Sequence, residues 1–180
     1  MAITATDIHF RGSITTGTAG NQSVFGGAGT SLGKYVVNND LVDATLNNLF
    51  PDTTGDENAA SNVDYQLVFI YNAHGTLTWQ SVVAWLSAEV AGGTSAAIGV
   101  DTTAASALGS ATAQAVTIAN KNTAPAGASF TSPTTKGAGV SVGNIVAGNV
   151  RGLWVRRTAA NTGAVDSDGV TIRAEGDTAA

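Results

Sequence analysis

The residues best suited to acid–base chemistry near neutral pH are two histidines, in a chain that has no cysteine. His9 lies near the start, and His74 lies in the turn sequence Asn72-Ala73-His74-Gly75. Nucleophilic catalysis would require one of them beside a hydroxyl group and a carboxylate. The acid nearest to His74 in sequence is Asp64, and a whole strand separates the two. We therefore predict that His74 is an exposed turn residue and that the chain is not an enzyme.

Carboxylates are the other groups that could do chemistry. Asp166, Asp168, Glu175 and Glu89 could supply the pair that glycoside hydrolysis needs, but nothing in the sequence sets their separation. Asp166 and Asp168 could bind calcium together with backbone carbonyls, or the sequence Asp166-Ser167-Asp168-Gly169 could simply form a turn. These two alternatives stay open, and we assign no cofactor and no metal ligand.

Two further segments, a glycine-rich piece and an acidic connector, look like ligand-binding motifs but do not match the spacing that those motifs require. The glycine-rich piece 26–34 leaves three residues between Gly29 and Gly33, and Lys34 is followed by Tyr35. A phosphate-binding P-loop needs four residues there and a Ser or Thr after the lysine. The acidic connector 51–62 does not match the spacing of an EF-hand loop. We predict that it is a solvated loop.

The surface is unusually poor in charge. Charged residues make up 12% of the chain, the formal net charge is -5 and the mean hydropathy is +0.14, whereas about 25% charged residues is usual. A surface of small polar residues predicts that copies of the chain or a partner cover part of it. The alternative is a monomer with an unusually neutral surface.

The same composition argues against two classes of partner. Only eight residues are basic, and they form no basic face that could neutralise phosphates, so we predict no binding of nucleic acid. No stretch approaches the roughly 18 apolar residues of a membrane span, so we predict no membrane partner. The first residues, MAITATDIHFRGS, lack the pattern of a signal peptide, and we expect synthesis in the cytosol.

The stretch 63–86 is the strongest structural signal. Apolar residues alternate along 63–72 and again along 77–86, and both segments are apolar on both faces in the middle, as in the interior of a sandwich. The break at 72–75 predicts a β-hairpin or a tight connection, and Gln80-Ser81 predicts a bulge. Its aromatic residues indicate core packing. The alternative is a stacking surface for sugar or nucleic acid formed by Trp79, Trp85 or Trp154.

The first 62 residues divide into two predicted parts. Residues 1–38 carry few, scattered apolar side chains among Gly, Thr, Ser and Asn, which predicts an extended N-terminal arm. Residues 39–62 predict a short helix over Asn39–Phe50, capped by Asn39 or Asp40 and stopped by Pro51, followed by the polar connector. We predict that assembly contacts come from the arm and from the apolar stripe of the helix, namely Phe10, Phe25, Leu46, Leu49 and Phe50.

Residues 63–180 predict the folded domain. Short apolar runs separated by turn residues are typical of an all-β protein, and we predict a single antiparallel β-sandwich, jelly-roll-like, with seven or eight strands. The Ala-rich window 102–115 favours a loop with a short strand over a helix. The segments RGLWVRRT and GVTIRAEG predict a second hairpin near the end.

Three pieces of the chain carry a resemblance. The hairpin VDYQLVFIYNAHGTLTWQSVVAWLSAEVAGG, the middle piece ATAQAVTIANKNTAPAGASFTSPTTKGAGVSVGNIVAGN and the ending RGLWVRRTAANTGAVDSDGVTIRAEGDT resemble small structural proteins of tailed-bacteriophage virions, in particular capsid decoration (cement) proteins. The resemblance covers residues 63–178 and is one of texture and short phrases, without a catalytic signature.

The resemblance implies a β-sandwich that oligomerises, with a trimer favoured, and that binds the shell formed by the major capsid protein. It would lie on the capsid surface of the virion after synthesis in the host cytoplasm. One alternative is another virion part, such as a head fibre, tail or baseplate component. A second alternative, from a different class, is a carbohydrate-binding or adhesive sandwich that uses the tryptophans.

Overall fold

Nine strands account for most of the regular structure in the computed structural model, which describes residues 2–178. The strands are β1 (Ile8–Ile14), β2 (Tyr35–Asp40), β3 (Val63–Asn72), β4 (Trp79–Glu89), β5 (Ser95–Val100), β6 (Ser106–Ala107), β7 (Val140–Ile145), β8 (Asn149–Thr158) and β9 (Val170–Thr178). One short α-helix, α1 (Gly55–Ala59), and two 3-10 turns, Ala5–Asp7 and Lys136–Ala138, complete the described elements.

The strands form two antiparallel sheets. The main sheet has the order β2-β1-β3-β8-β5, with β6 beside β8, and the second sheet has the order β7-β4-β9. The prediction of an all-β sandwich with little helix is therefore confirmed. In the main sheet, β8 lies between β3 and β5, and in the second sheet β7 pairs with β4. This part of the strand order agrees with a jelly-roll-like topology.

The main core lies between the two sheets. Val68 and Ile70 on β3 pack with Leu153 on β8 against Val82 and Leu86 on β4, and each is at most 3% exposed. Because side chains alternate across a strand, the neighbouring residues of β3 and β8 point to the opposite face of the main sheet. Burial of each such side chain contributes about 1.5–3 kcal/mol.

A second apolar cluster covers the outer face of the main sheet. Leu67 and Phe69 on β3 pack there with Trp154 on β8, beneath loops that contribute Ala115 and Ile118. The predicted burial of β3 on both faces is confirmed, with the second sheet on one face and loops on the other. The 102–115 window supplies part of this cover as turns plus the two-residue strand β6, as predicted.

Neither predicted hairpin forms, although the alternative given for the first, a tight connection between the two strands, agrees with residues 73–78. β3 and β4 lie in different sheets, and so do β8 and β9. In each case the connection carries the chain from one sheet to the other, so the apolar rows of consecutive strands face each other across the core. The bulge predicted at Gln80-Ser81 is confirmed, since Ser81 has φ 51° and the β4–β9 register shifts between Gln80 and Val83.

The predicted N-terminal arm is also wrong. β1 pairs with β3 from Ile8↔Asn72 to Arg11↔Phe69, and β2 pairs with β1, so residues 8–14 and 35–40 form the end of the main sheet. Val36 and Val37 are fully buried. A few scattered apolar residues are enough to hold β1 and β2 in the fold, because these strands add to a sheet whose packing against the core comes mainly from other segments.

The helix predicted over Asn39–Phe50 does not form. Residues 39 and 40 end β2, and Ala44 and Asn47 have φ 54° and 56°, which a helix does not tolerate. The Asn39 side chain accepts a hydrogen bond from the Phe25 backbone N–H (2.7 Å) and caps no helix. The helix observed is α1 in the polar connector, whose Thr54 and Glu57 form a reciprocal capping box.

Candidate functional site

All three tryptophans are buried, so the predicted core packing is confirmed and the alternative, a stacking surface, is wrong. Trp79 and Trp85 are 6% exposed and Trp154 is fully buried. Trp79 packs between the sheets, and Trp154 packs under the loops of the outer face. None of these rings presents a face on which a sugar or base could stack.

Asp101 organises the polar part of the core. It is 1% exposed and accepts a hydrogen bond from Trp154 Nε1 (2.6 Å) as well as backbone N–H donors from Thr103 (2.7 Å) and Val116 (3.1 Å). Several donors compensate the cost of burying a carboxylate. The arrangement fixes the 101–116 loop to the outer face of the main sheet. No sequence motif marked this residue, although its position directly after a buried apolar strand is a signal that could have found it.

His9 belongs to a polar cluster on the outer face of β1 and β2. Its Nδ1 lies 2.5 Å from Asp40 Oδ2, and Arg11 Nε donates to Asp40 Oδ1 at 2.8 Å. Burial opposes ionisation of Asp40, but the hydrogen bonds from His9 and Arg11 outweigh it and hold the pKa of that carboxyl below its usual range. The Arg11 guanidinium lies 4.8 Å from the centre of the Tyr71 ring. Within residues 2–178, no serine or threonine hydroxyl is hydrogen-bonded to His9.

His74 stabilises the connection between β3 and β4. Its Nδ1 accepts backbone hydrogen bonds from Thr76 (3.1 Å) and Leu77 (3.0 Å), and the residue is half-buried. The prediction of a turn histidine is correct in place, but full exposure is wrong because the ring packs into the turn that it holds. Among the described residues, no hydrogen bond joins the two histidines or links the His74 side chain to an acid.

Four charged side chains tie the connector to one end of the sandwich. Lys121 Nζ lies 2.5 Å from Glu57 Oε1 and 3.4 Å from Asp64 Oδ2, and Arg157 Nη2 donates to the same Asp64 oxygen at 2.6 Å. Arg157 also donates to the Pro51 carbonyl (2.6 Å). The prediction of a solvated connector is therefore wrong at Glu57. The buried carboxylate of Asp64 on β3 holds Lys121 in place, and Lys121 also binds Glu57.

The hydrogen bond from Lys121 and the capping bonds of Thr54 lower the pKa of Glu57 to about 2. Burial acts against the charge on Lys121, but its hydrogen bond to Glu57 and the nearby Asp64 raise the pKa of Lys121 above its ordinary value. Glu57 and Lys121 therefore stay charged across the whole physiological range, and the arrangement serves to hold loops in place.

The acids near the end of the chain are placed for a turn. Asp168 accepts hydrogen bonds from both the backbone N–H and the hydroxyl of Thr94, each at 2.7 Å, and Asp166 is exposed. In the part of the chain that the structure describes, no three His, Cys, Asp or Glu side chains come together as a metal site would require. Asp168 thus joins the 159–169 loop to the loop after β4.

Four of the five predicted assembly contacts belong to the molecule's own core. Leu49 is 8% exposed, and Phe10, Phe25 and Phe50 pack against the main core while remaining half-buried. The molecule's own core therefore contacts these four side chains, and their role as assembly contacts stays a prediction. Leu46 is different, since it is 69% exposed.

Leu46 is one of three large apolar side chains that the folded chain leaves exposed on two adjacent loops. Val24 is 64% exposed and Val42 is 67% exposed. Their two loops lie side by side, joined by the Phe25–Asn39 hydrogen bond, and Phe25 and Val42 line a shallow depression between them. We refer to Val24, Val42 and Leu46 as the apolar loop patch. Residues 39–59 carry acids but no Lys or Arg, so the border of the patch on this side is neutral to acidic.

Searches against protein-family models, curated proteins and solved structures found no significant match for this chain. No helix in residues 2–178 is both long and apolar enough to cross a membrane. The geometry of the molecule is therefore the main basis on which a function can be proposed.

Proposed function

We propose that this chain is a structural protein of a tailed-bacteriophage virion, which binds the outside of the capsid as a decoration (cement) protein. The observation that carries the proposal is the apolar loop patch. A folded chain with so little charge that still exposes three large apolar side chains in adjacent loops has a surface suited to a protein partner. The resemblance of residues 63–178 to such virion proteins supports the same function.

The proposed partner is the major capsid protein. The patch would contact an apolar surface with a neutral or basic border, because the loop that carries Val42 and Leu46 has no positive charge of its own. Three small contacts give a weak interaction once ordering costs are subtracted, at about 25 cal/mol for each Å² of apolar surface buried. Repetition over many copies across capsomer boundaries would make the total effect large. Self-association of the chain would add to it.

The test is co-sedimentation of the purified chain with capsids that lack it, prepared from the phage whose genome encodes it. We expect Val42→Asp and Leu46→Asp each to weaken capsid binding about tenfold or more, because a buried unpaired carboxylate opposes the contact. Val146→Asp is the matched control, since Val146 is 50% exposed and lies outside the patch. Capsid binding that is unchanged in both patch variants would contradict the proposal, provided that circular dichroism shows all variants to be folded.

Copy number in purified virions separates this proposal from its nearest alternative. A decoration protein would be present at about one copy per capsid subunit, or one oligomer per local symmetry axis. A head fibre, tail or baseplate component would be present in a handful of copies. Absence from virions would overturn both. The burial of all three tryptophans removes the surface on which a carbohydrate-binding function was predicted, and we do not propose it.

A further inference from the structure

β9 is an edge strand whose outer side is open. Within residues 2–178, β4 is the only neighbouring strand, and no other segment makes a backbone–backbone hydrogen bond to residues 170–178. The Ile3 backbone N–H donates to the side-chain hydroxyl of Thr178, the last residue of the strand (3.3 Å). The edges of the main sheet are treated differently. Backbone bonds from Asn21 to Val36 and from Asn38 to Ser23 cover β2, and reciprocal bonds between Ile98 and Thr131 cover β5. An uncovered strand edge offers a template for another strand.

β9 also lacks two of the features that block such pairing, namely proline and a bulge of its own. It runs for nine residues without proline, and the register irregularities with β4 come from extra residues on β4. The other end strand of the second sheet, β7, is shorter and is interrupted by Gly143 at φ 86°. β9 is therefore the better template of the two.

The apolar row of β9 is only partly covered by its own chain. Val170, Ile172 and Ala174 face inward but are half-buried, whereas Val82 and Ala84 on the neighbouring β4 are fully buried. Beside this row the sandwich opens into a cleft of about 330 Å³, lined by Ile3, Ile8, Phe10, Trp79, Ala174 and Gly176 among others. A strand added to β9 would cover this apolar surface.

The outward row of β9 indicates which strand would fit. Thr171, Arg173, Glu175 and Asp177 are exposed and carry both signs of charge. In an antiparallel pair of identical strands centred on Ala174, Arg173 lies opposite Glu175 of the second copy, and the same pair occurs again by symmetry. Opposite charges directly across a strand pair stabilise it. All nine residues of β9 are paired in this register.

Neighbouring registers are less favourable. Centring on 173 places Arg173 opposite its own copy. Centring on 175 does the same for Glu175, although Arg173 then lies opposite Asp177 of the second copy. Centring on 176 places Glu175 opposite Asp177 of the second copy. Like charges directly opposite destabilise a strand pair. The register centred on 174 also brings the small residues Ala174 and Gly176 to the middle of the inward row.

We propose that β9 pairs with β9 of a second copy of this chain across a two-fold axis at Ala174, which forms a continuous six-stranded sheet from the second sheets of the two copies. Glu175 already lies 3.1 Å from Lys136 of its own chain, but both side chains are about half exposed, so this pair is weak and does not prevent the new contact. The contact is isologous and predicts a dimer, not the trimer that the resemblance implies. The proposal does not depend on capsid binding.

The first test measures the mass of the full chain by sedimentation across a range of concentrations. We expect a dimer, and we expect Arg173→Glu and Glu175→Arg each to raise the dissociation constant about tenfold by placing like charges opposite each other. The double variant restores the alternation of sign and should return within about threefold of the wild-type value. Asp52→Arg, which makes the same change in net charge as Glu175→Arg but at an exposed residue of the connector, should leave the dimer intact.

The second test reads the register directly. Because the chain has no cysteine, a single introduced cysteine forms a disulfide only with its own copy. Ala174→Cys lies on the proposed axis, where opposite Cα atoms are about 4.5–5.5 Å apart, within disulfide range, and should give a covalent dimer on mild oxidation. Thr171→Cys is the control, since its counterpart would lie far along the strand.

Four results would overturn the proposal. The first two are a monomer at all concentrations and a trimer. The third is a dimer that is insensitive to the single charge reversals. The fourth is a covalent dimer formed by the Thr171→Cys variant but not by the Ala174→Cys variant.

Discussion

At the scale of single residues, buried carboxylates fix the loops of this molecule. Asp101 on the outer face and Asp64 at one end are each almost fully buried, at 1% and 3% exposed, and each gathers donors from segments distant in sequence. An ionised carboxylate that loses a partner inside a protein costs far more than an exposed one. Loss of a single hydrogen-bond donor to Asp101 or Asp64 should therefore lower the stability of the fold markedly.

The bond from Trp154 to Asp101 can be tested with an aromatic replacement. Trp154→Phe keeps an apolar ring but removes the Nε1 donor, so we expect the free energy of unfolding to fall by about 2–4 kcal/mol. The measurement is chemical denaturation of the purified chain. Trp85→Phe is the control, because Trp85 is also buried but makes no side-chain hydrogen bond within the described residues. An equal loss in the two variants would show that ring volume, and not the bond to Asp101, is what matters.

Glu57 makes stability depend on acid. Its pKa in the folded chain is about 2, below the ordinary value of 4.5, so its contribution is fully present above about pH 4.5 and is lost as the pH falls towards 2. We expect Glu57→Gln to lower the free energy of unfolding by about 1 kcal/mol at pH 7, since the ion pair is partly screened by solvent. The difference from wild type should shrink towards pH 2.

Thermal unfolding measured between pH 2 and pH 7 checks this expectation. Asp56→Asn is a suitable control, because Asp56 lies in the same helix turn and is exposed, without a contact to Lys121. A Glu57→Gln variant whose destabilisation is the same at pH 2.5 and pH 7 would show that the Lys121 ion pair does not act in this way.

At the scale of elements, period-two patterns were enough to locate strands but not their partners. The alternation in 63–72, 77–86 and 151–158 predicts strands, which the structure contains at 63–72, 79–89 and 149–158. Alternation defines the two faces of a strand, and it carries no information on whether the next strand lies beside it or across the core. This is why both predicted hairpins were wrong. The helix predicted over Asn39–Phe50 was wrong for a related reason. Its spacing of apolar residues implied a buried face, but Val42 and Leu46 are exposed and no other described element covers them.

The capping box at Thr54 and Glu57 was the signal that sequence reasoning missed. It marks the start of the observed helix inside a connector that composition alone describes as a loop. Local motifs with a specific hydrogen-bonding role were thus more informative here than average apolarity.

Removal of residues 1–38 tests the position of β1 and β2. Because β1 pairs with β3 at the edge of the main sheet, the truncated chain would expose a ten-residue strand and lose Val36 and Val37 from buried positions. We expect it to aggregate or to lose its cooperative thermal transition. A truncated chain that stays soluble and unfolds cooperatively near the wild-type temperature would show instead that this segment acts as a dispensable arm.

At the scale of the whole molecule, the fold class was predictable and the site was not. A charge-poor chain with short alternating runs has few ways to bury its apolar rows other than two packed sheets. The sequence pattern does not show which apolar side chains stay exposed on the surface, because that depends on how the other segments of the chain pack over each strand. Phe10, Phe25, Leu49 and Phe50 were taken up by the core, and Leu46 was left exposed. The open edge of β9 could not be predicted, because it depends on the strand order.

The place of β8 between β3 and β5 has a consequence for how the molecule is made. β3 is complete at Asn72, but the strand that covers its other edge ends at Thr158. Ribosomes add about 5–20 residues per second, so the nascent chain carries an apolar strand with one unpaired edge for on the order of ten seconds. During that time β5 also has no neighbour in the main sheet. Each new copy is therefore exposed to chaperones, or to strand exchange with other nascent copies on the same message, before its own sheet can close.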